Sequence, residues 1–340
     1  MRITQVRAVT TPTPGNPHDW RVVLGQILVV VDTDTGVRGY GVGAGGAAGV
    51  HIVEHFLGPL LKGSDLRAIT ALWQQMYEAT LPFGRKGLAI MAISGVDLAL
   101  WDALGKAEGI SVAALLGGVQ HERIPCYATT RDPAAAVARG FRTVKIPIQP
   151  RPITPEDAIA LVARTRALIG PDVTLHTDAG GGWNLDESVR AAEGFASYGV
   201  GWLEEPMPPD HLVAYAELRR RAPLQIAGGE HESTVEGFRE LAAHAALSLW
   251  QPDVTWCGGL TQLQAIYALG AREGIPVCPH RGAEVWGLHA LAALDPAPLA
   301  ESGRPWISWL TGQPEIVNGF IEPPQRPGFG VEPAPGLIGF

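Results

Sequence analysis

Short apolar runs alternating with amphipathic helical stretches constrain this chain more than any other feature. The runs fall at residues 124–129, 141–147, 172–178, 200–205, 224–230, 247–253, 275–280 and 298–301, and stretches of helical period such as 155–169, 186–197 and 260–273 lie between most of them. Strands separated by helices pair in parallel, because each helix carries the chain back to the starting edge of the sheet. Eight such runs argue for closure into a (β/α)8-type barrel. The first 122 residues differ. An apolar run at 26–32, the turn-forming Asp34-Thr35-Gly36 and a second run at 37–42 read as a hairpin. Helical stretches follow at 50–61 and 89–105; the second is apolar on more than one face and should be heavily buried. The expected organisation is an α+β domain over 1–122, a barrel over 123–314, and a Pro- and Gly-rich tail over 315–340 that packs back across the N-terminal domain.

Three acidic residues stand at the ends of consecutive candidate strands: Asp178 in LHTDAG, Glu204 in WLEEP and Glu230 in AGGEH, each 26 residues from the next. One strand-helix unit is about that long, so neighbouring strands would present the three carboxylates together at the barrel mouth. Carboxylates so close repel, and a hard divalent cation with oxygen ligands relieves the repulsion; Mg²⁺ suits a set without a thiolate. A single acid after a strand is as well explained by a helix N-cap or a surface ion pair, but three in register are not. Asp253 closes the sixth run and His280 the seventh. Adjacent parallel strands lie about 4.8 Å apart, so Asp253 can accept a hydrogen bond from one imidazole nitrogen and leave the other as a general base. Lys145 on the second run and Glu301 on the eighth complete the ring.

At these residues the chain resembles the enolase superfamily, in its mandelate racemase branch, and within it is most similar to the L-rhamnonate dehydratases. The resemblance covers nearly the whole chain and rests on AISGVDLALWDALGKAEGISVAALLGG, WLEEPMPPD, GGEHESTVEGFREL, LWQPDVTWCGGLTQL, PHRGAEVWGLH and NGFIEPPQRPGFGVE. It implies a (β/α)7β TIM-like barrel with an α+β capping domain completed by the C-terminal tail. It also implies that Asp178, Glu204 and Glu230 hold Mg²⁺, that Glu205 does not, that Asp253 and His280 form a dyad, and that Glu301 contacts substrate. The implied reaction is dehydration of a sugar acid to a 2-keto-3-deoxy acid by removal of the proton alpha to the carboxylate. A cycloisomerase or epimerase of a related acid or lactone is the alternative within the fold, and a barrel that binds metal without catalysis is the alternative outside it. Many members carry Lys-x-Lys on the second strand, the second lysine acting as a base opposite the histidine. Here Val144-Lys145-Ile146-Pro147 leaves one lysine, as in the rhamnonate dehydratases, so a single base and a syn elimination are expected. A second departure is Ala179-Gly180-Gly181, where other branches often put a polar substrate ligand.

Weaker signals concern the rest of the pocket. His18, Arg21, Arg85 and Lys86 of the N-terminal region are candidates for binding distal hydroxyls or the substrate's charge, although solvated surface residues would read the same way. His176 and His231 neighbour the acidic trio, and Trp183, Trp256 and Trp286 lie beyond strand ends where they would line the pocket or simply pack. Gly41 to Gly46 fits G-x-G-x-x-G, yet it follows a hairpin and no acidic strand end stands about 20 residues on, so a flexible loop over the mouth is expected rather than a dinucleotide site. With 46% apolar residues in 340 the chain can bury a large core, and a formal charge of -8 argues against wide contact with nucleic acid or anionic membrane. Cys126, Cys257 and Cys278 show no CxxC spacing, and neither a signal-type apolar segment nor a run of 18 apolar residues occurs. A cytoplasmic enzyme of a small-molecule acid, assembled as a homo-oligomer, is expected.

Overall fold

The computed structural model describes residues 1–15, 19–149, 151–303 and 307–338. The N-terminal region begins with β1 (Ile3–Thr10), β2 (Gln26–Thr33) and β3 (Arg38–Ala44), an antiparallel sheet in that order. The β2–β3 hairpin runs in register from Asp32↔Arg38 to Gln26↔Ala44, and Gly36 takes the positive φ of its turn. Helix Leu88–Glu108 lies directly on β3. Gly39, Gly41 and Gly43 make that possible: a Cβ on Gly41 would stand 2.2 Å from the Gly95 carbonyl oxygen, and one on Gly39 2.1 Å from that of Ala99. The glycine pattern expected as a flexible loop is therefore mostly strand, emptied of side chains so that a helix backbone can approach. By length and composition the helix could cross a membrane, but it is largely buried, sharing an apolar cluster with Val29, Val31, Ile69 and Met76. Helix Ile69–Thr80, which packs beside it, was not among the sequence expectations. The expected helix at 50–61 is three consecutive helical segments over 46–61, the middle one of wider turn.

The second region is a curled parallel sheet of β4 (Ile124–Thr129), β5 (Thr143–Pro147), β6 (Thr174–Asp178), β7 (Val200–Glu204), β8 (Gln225–Gly228), β9 (Leu249–Trp250) and β10 (Ala300–Glu301). Its order is β10-β4-β5-β6-β7-β8-β9, so the last strand returns to pair with the first, Glu301 opposite Tyr127. Helices alternate with the strands. Pro155–Ile169 starts where Thr154 accepts a hydrogen bond from the Asp157 amide, and Leu185–Ala196 starts in a capping box of Asn184 and Glu187. The expected seventh strand, 275–280, is not a regular ladder strand. It meets β9 by one bridge, Trp250↔Val277, and by amide bonds from Trp250 to Pro276, Cys278 to Trp250 and His280 to Pro252. Pro276 and Pro279 have no N–H to donate, and Pro252 cuts β9 short in the same way.

Tyr127, Trp202, Ala227, Leu249 and Cys278 form a separate apolar cluster on this sheet, among the strand-end charged groups. The three cysteines are buried and free. The tail joins both regions: residues 320–321 pair antiparallel with β4, and Phe329 is buried against Trp286 and His289 while its N–H donates to Asp102 of the long helix.

Candidate active site

Register places the acids. Pro147 pairs with Asp178 and Asp178 with Glu204, so the C-terminal strand ends of β5, β6 and β7 are level, and Glu301 stands across at the end of β10. Lys145 rises between them from β5 with about 1% of its surface exposed. Its ammonium lies 2.6 Å from Glu204 Oε1 and 2.9 Å from Glu301 Oε1. Glu204 Oε2 accepts from Gln251 Nε2 at 2.6 Å and Trp202 Nε1 at 3.2 Å. Glu301 accepts from the Thr129 hydroxyl and, at 2.7 Å, from the Arg281 amide.

The two carboxylates that share Lys145 titrate in opposite directions. Burial raises both, but Glu301 is pulled down to about 2 by Lys145, His280 and its two neutral donors. Glu204 is pushed up to about 7, burial first and then Asp178 and Glu301, against the pull of Lys145. Burial would lower the Lys145 ammonium, yet Glu204, Glu301 and Asp178 hold it well above its usual range. Asp178 and Glu230 are both raised, by burial and then by the neighbouring acids, among which Glu230 acts on Asp178 and Glu205 on both. The mouth therefore holds more buried negative charge than Lys145 alone balances.

The expected dyad is formed. His280 Nδ1 is 2.9 Å from Asp253 Oδ2, and Nε2 points into the mouth, 3.4 Å from Glu230 Oε2. The Thr255 amide and hydroxyl both donate to Asp253 Oδ1, at 2.8 and 2.6 Å, so the carboxylate is fixed from its other side. Burial opposes charge on the imidazole, but Glu230, Asp253 and Glu301 raise its pKa overall.

Asp178, Glu204 and Glu230 are oxygen donors crowded in a buried space and raised in pKa, which fits a hard divalent cation. Among the described residues, however, the group whose ligand atoms already lie within 4.8 Å of one another is Glu205, Glu230 and His231. Two local facts account for it. Glu204 is drawn towards Lys145 and Gln251, and Glu205, at φ 40°, turns to His231 Nδ1 at 2.9 Å. That contact with Glu205, against the cost of burial, raises His231 to about 9.

The other expected pocket residues divide. His231 is at the mouth, half exposed, and Trp256 lies between His231 and His280. Three placements correct the sequence expectation. His176 is buried below the charged layer, stacked on Trp202, because its strand position faces the curl one layer down. Trp286 is fully buried against Phe329 on helix Val285–Leu294, which starts beyond the mouth. Lys86 reaches the site but is paired with Glu232 at 2.8 Å, and Arg85 is exposed on the same loop. Trp183 packs, its indole N–H on the Ile153 carbonyl. His18 lies outside the described residues, as does the side chain of Arg21. Sequence reasoning missed Gln251, which shares the alternate-residue face with Asp253, and Trp202, which shares it with Glu204. It also missed Arg281 and Thr255, for which the strand pattern holds no signal because both sit in turns.

Two family descriptions match this arrangement: the mandelate racemase/muconate lactonizing enzyme N-terminal domain over residues 4–117 and the enolase C-terminal domain-like region over 129–336. The chain belongs to the mandelate racemase/muconate lactonizing enzyme family. Within the enolase superfamily it is similar to L-rhamnonate dehydratase of Saccharopolyspora erythraea, 38% identical over 91% of this chain and 83% of that protein. Among solved structures, 3,6-anhydro-D-galactonate cycloisomerase from Zobellia galactanivorans superposes with a TM-score of 0.88 at 27% identity, covering 98% of this chain and 97% of that one. Rhamnonate dehydratase from Gibberella zeae, complexed with Mg, gives 0.88 at 28% identity over 99% and 95%.

Proposed function

We propose that this family member is a Mg²⁺-dependent dehydratase of a sugar acid, acting at the mouth of a closed (β/α)7β barrel capped by the N-terminal domain and the tail. Asp178, Glu204 and Glu230 are the ligands, and Mg²⁺ held there supplies the positive charge that acidifies a proton alpha to a carboxylate. The residues of the chain do the rest. His280 takes the alpha proton at Nε2 while Asp253 keeps the proton on Nδ1 and favours the imidazolium. The same imidazolium, already on that face, returns its proton to the departing β-hydroxyl. Lys145 offsets the charge of Glu204 and Glu301 beneath the site. Across from His280, β5 ends in Pro147, which cannot act as a base.

The observation that carries the reading is the built dyad, with His280 Nε2 directed at Glu230. A library of acid sugars incubated with enzyme and Mg²⁺ should yield 2-keto acids, and chelation should stop it. With His280→Asn, both dehydration and alpha-proton exchange in deuterated water should disappear. Exchange with inversion at the alpha carbon, or exchange persisting in the variant, would refute the one-base elimination. The Zobellia galactanivorans relative supports a second reading, cycloisomerisation of an anhydro acid or lactone on the same dyad. Product analysis separates them, since a cycloisomerase keeps the mass of its substrate and a dehydratase loses water.

A further inference from the structure

Arg281 has no part in the steps above, and its placement is nonetheless highly specified. Its backbone is at φ 54°, a region that side-chain-bearing residues seldom enter, directly after His280. Its N–H donates to Glu301 Oε2 at 2.7 Å and its carbonyl accepts from the Glu284 amide at 2.9 Å. The guanidinium lies over Trp256, Cζ 5.2 Å from the ring centroid, with Nη1 3.5 Å from Asp253 Oδ2. That contact pairs charge without a hydrogen bond, and Nη1 is buried with no hydrogen-bond partner. Asp253 does not need it, since Thr255 and His280 already donate to both of its oxygens. A planar group with five donors thus stands beside the dyad, about one-fifth exposed, making no side-chain hydrogen bond among the described residues.

We propose that Arg281 is a specificity-determining residue that binds hydroxyl oxygens at the far end of the substrate's carbon chain, an inference that rests on the sugar-acid reading. Asp253 Oδ2 lies between His280 Nδ1 and Arg281 Nη1, so the guanidinium is set off from the proton-transfer atom by the width of the dyad. The carboxylate end is assigned to the acidic trio and its cation, which leaves the chain positions beyond the reacting carbons for Arg281. The guanidinium fork matches paired oxygens. Asp253 Oδ2, 3.5 Å from Nη1, already offsets the charge of Arg281, so neutral hydroxyls are favoured over a second carboxylate.

The test compares a six-carbon aldonic acid with glyceric acid, which keeps the alpha proton and β-hydroxyl but has no further hydroxyls. Arg281→Met preserves the apolar stem over Trp256 and removes the donors. It should lower kcat/KM for the six-carbon acid about 10- to 100-fold, mainly through KM, and change the glycerate value less than about threefold. Arg281→Lys should recover part of the loss. Calorimetric binding of the six-carbon acid to the His280→Asn protein should weaken by a similar factor when Arg281→Met is added. An equal loss on both acids would show that Arg281 only supports the dyad, and no loss on either would show that it binds nothing; both overturn the inference. A larger loss on a six-carbon diacid than on the aldonate would overturn the choice of neutral oxygens. If the parent enzyme turns over neither acid nor any other sugar acid, the sugar-acid reading fails first and this inference with it.

Discussion

With Lys145 almost wholly buried and two carboxylates within 2.9 Å of its ammonium, removing its charge would leave Glu204 and Glu301 uncompensated. Lys145→Met should therefore cost about 3–5 kcal/mol of stability, read as a lowered denaturation midpoint, in addition to any loss of turnover. A variant as stable as the parent would mean the carboxylates protonate or rehydrate at little cost. Asp253→Asn tests a different link. Asparagine can still accept from Thr255, so the loop should hold, but His280 loses the anion that stabilises its charged form. Turnover should fall at least about 100-fold with Mg²⁺ affinity unchanged, and equal rates in variant and parent would remove the dyad from the mechanism. At this scale the sequence was most legible where a side chain stands at a strand end, as for Asp178 and Glu204. It was least legible where position depends on a turn. Glu205 and Arg281 point where they do because their φ values are 40° and 54°, which no hydrophobic period encodes.

Elements were readable in proportion to their patterning. Helices Pro155–Ile169 and Leu260–Glu273 have the bounds the period gives, because caps and apolar stripes agree there. The segment 275–280 reads as a strand by composition, yet its prolines deny it a ladder, so it holds His280 through scattered amide bonds instead. The end of β3 was misread for the opposite reason: its body, 38–42, reads as a hairpin strand, but the glycines from Gly41 onward look like a loop until the helix packed on them is seen. Gly41→Ala puts a methyl 2.2 Å from a helix carbonyl oxygen that cannot move without its neighbours, and should destabilise by about 3 kcal/mol or more. Gly36→Ala, at φ 81° with nothing within 4 Å, should cost only the backbone strain, about 1–2 kcal/mol. Matching losses in chemical denaturation would refute the close-packing account of β3.

The two regions and the tail meet at His289, and there the stability of the whole molecule becomes tied to pH. The imidazole is fully buried; Nδ1 accepts from the Ala113 amide at 3.0 Å, and Nε2 is 3.2 Å from the Phe329 carbonyl oxygen, to which it donates. One neutral tautomer satisfies both contacts, whereas a second proton would break the bond from Ala113. Burial accordingly lowers the pKa to about 4, against the 6.5 of a free histidine, despite the favourable Phe329 carbonyl. Between pH 6.5 and 4 the unfolded chain therefore binds a proton that the folded chain refuses, so this group's contribution is complete above pH 6.5 and declines as pH falls. At pH 5 the decline amounts to on the order of 2 kcal/mol. His289→Gln cannot make both contacts and should be less stable than the parent at pH 7.5 by about 2 kcal/mol, but it carries no titrating group there. The difference between the two proteins, followed by chemical denaturation at fixed Mg²⁺, should shrink as pH falls from 7.5 to 5. Other titrating groups cancel in that difference, including the similarly buried His176 and the raised Asp97, which acts with the opposite sign. A gap that stays constant over the range would show that folding leaves the proton affinity of His289 unchanged, and a gap that widens as pH falls would show that the junction of curled sheet, tail and N-terminal region is held by a charged rather than a neutral ring.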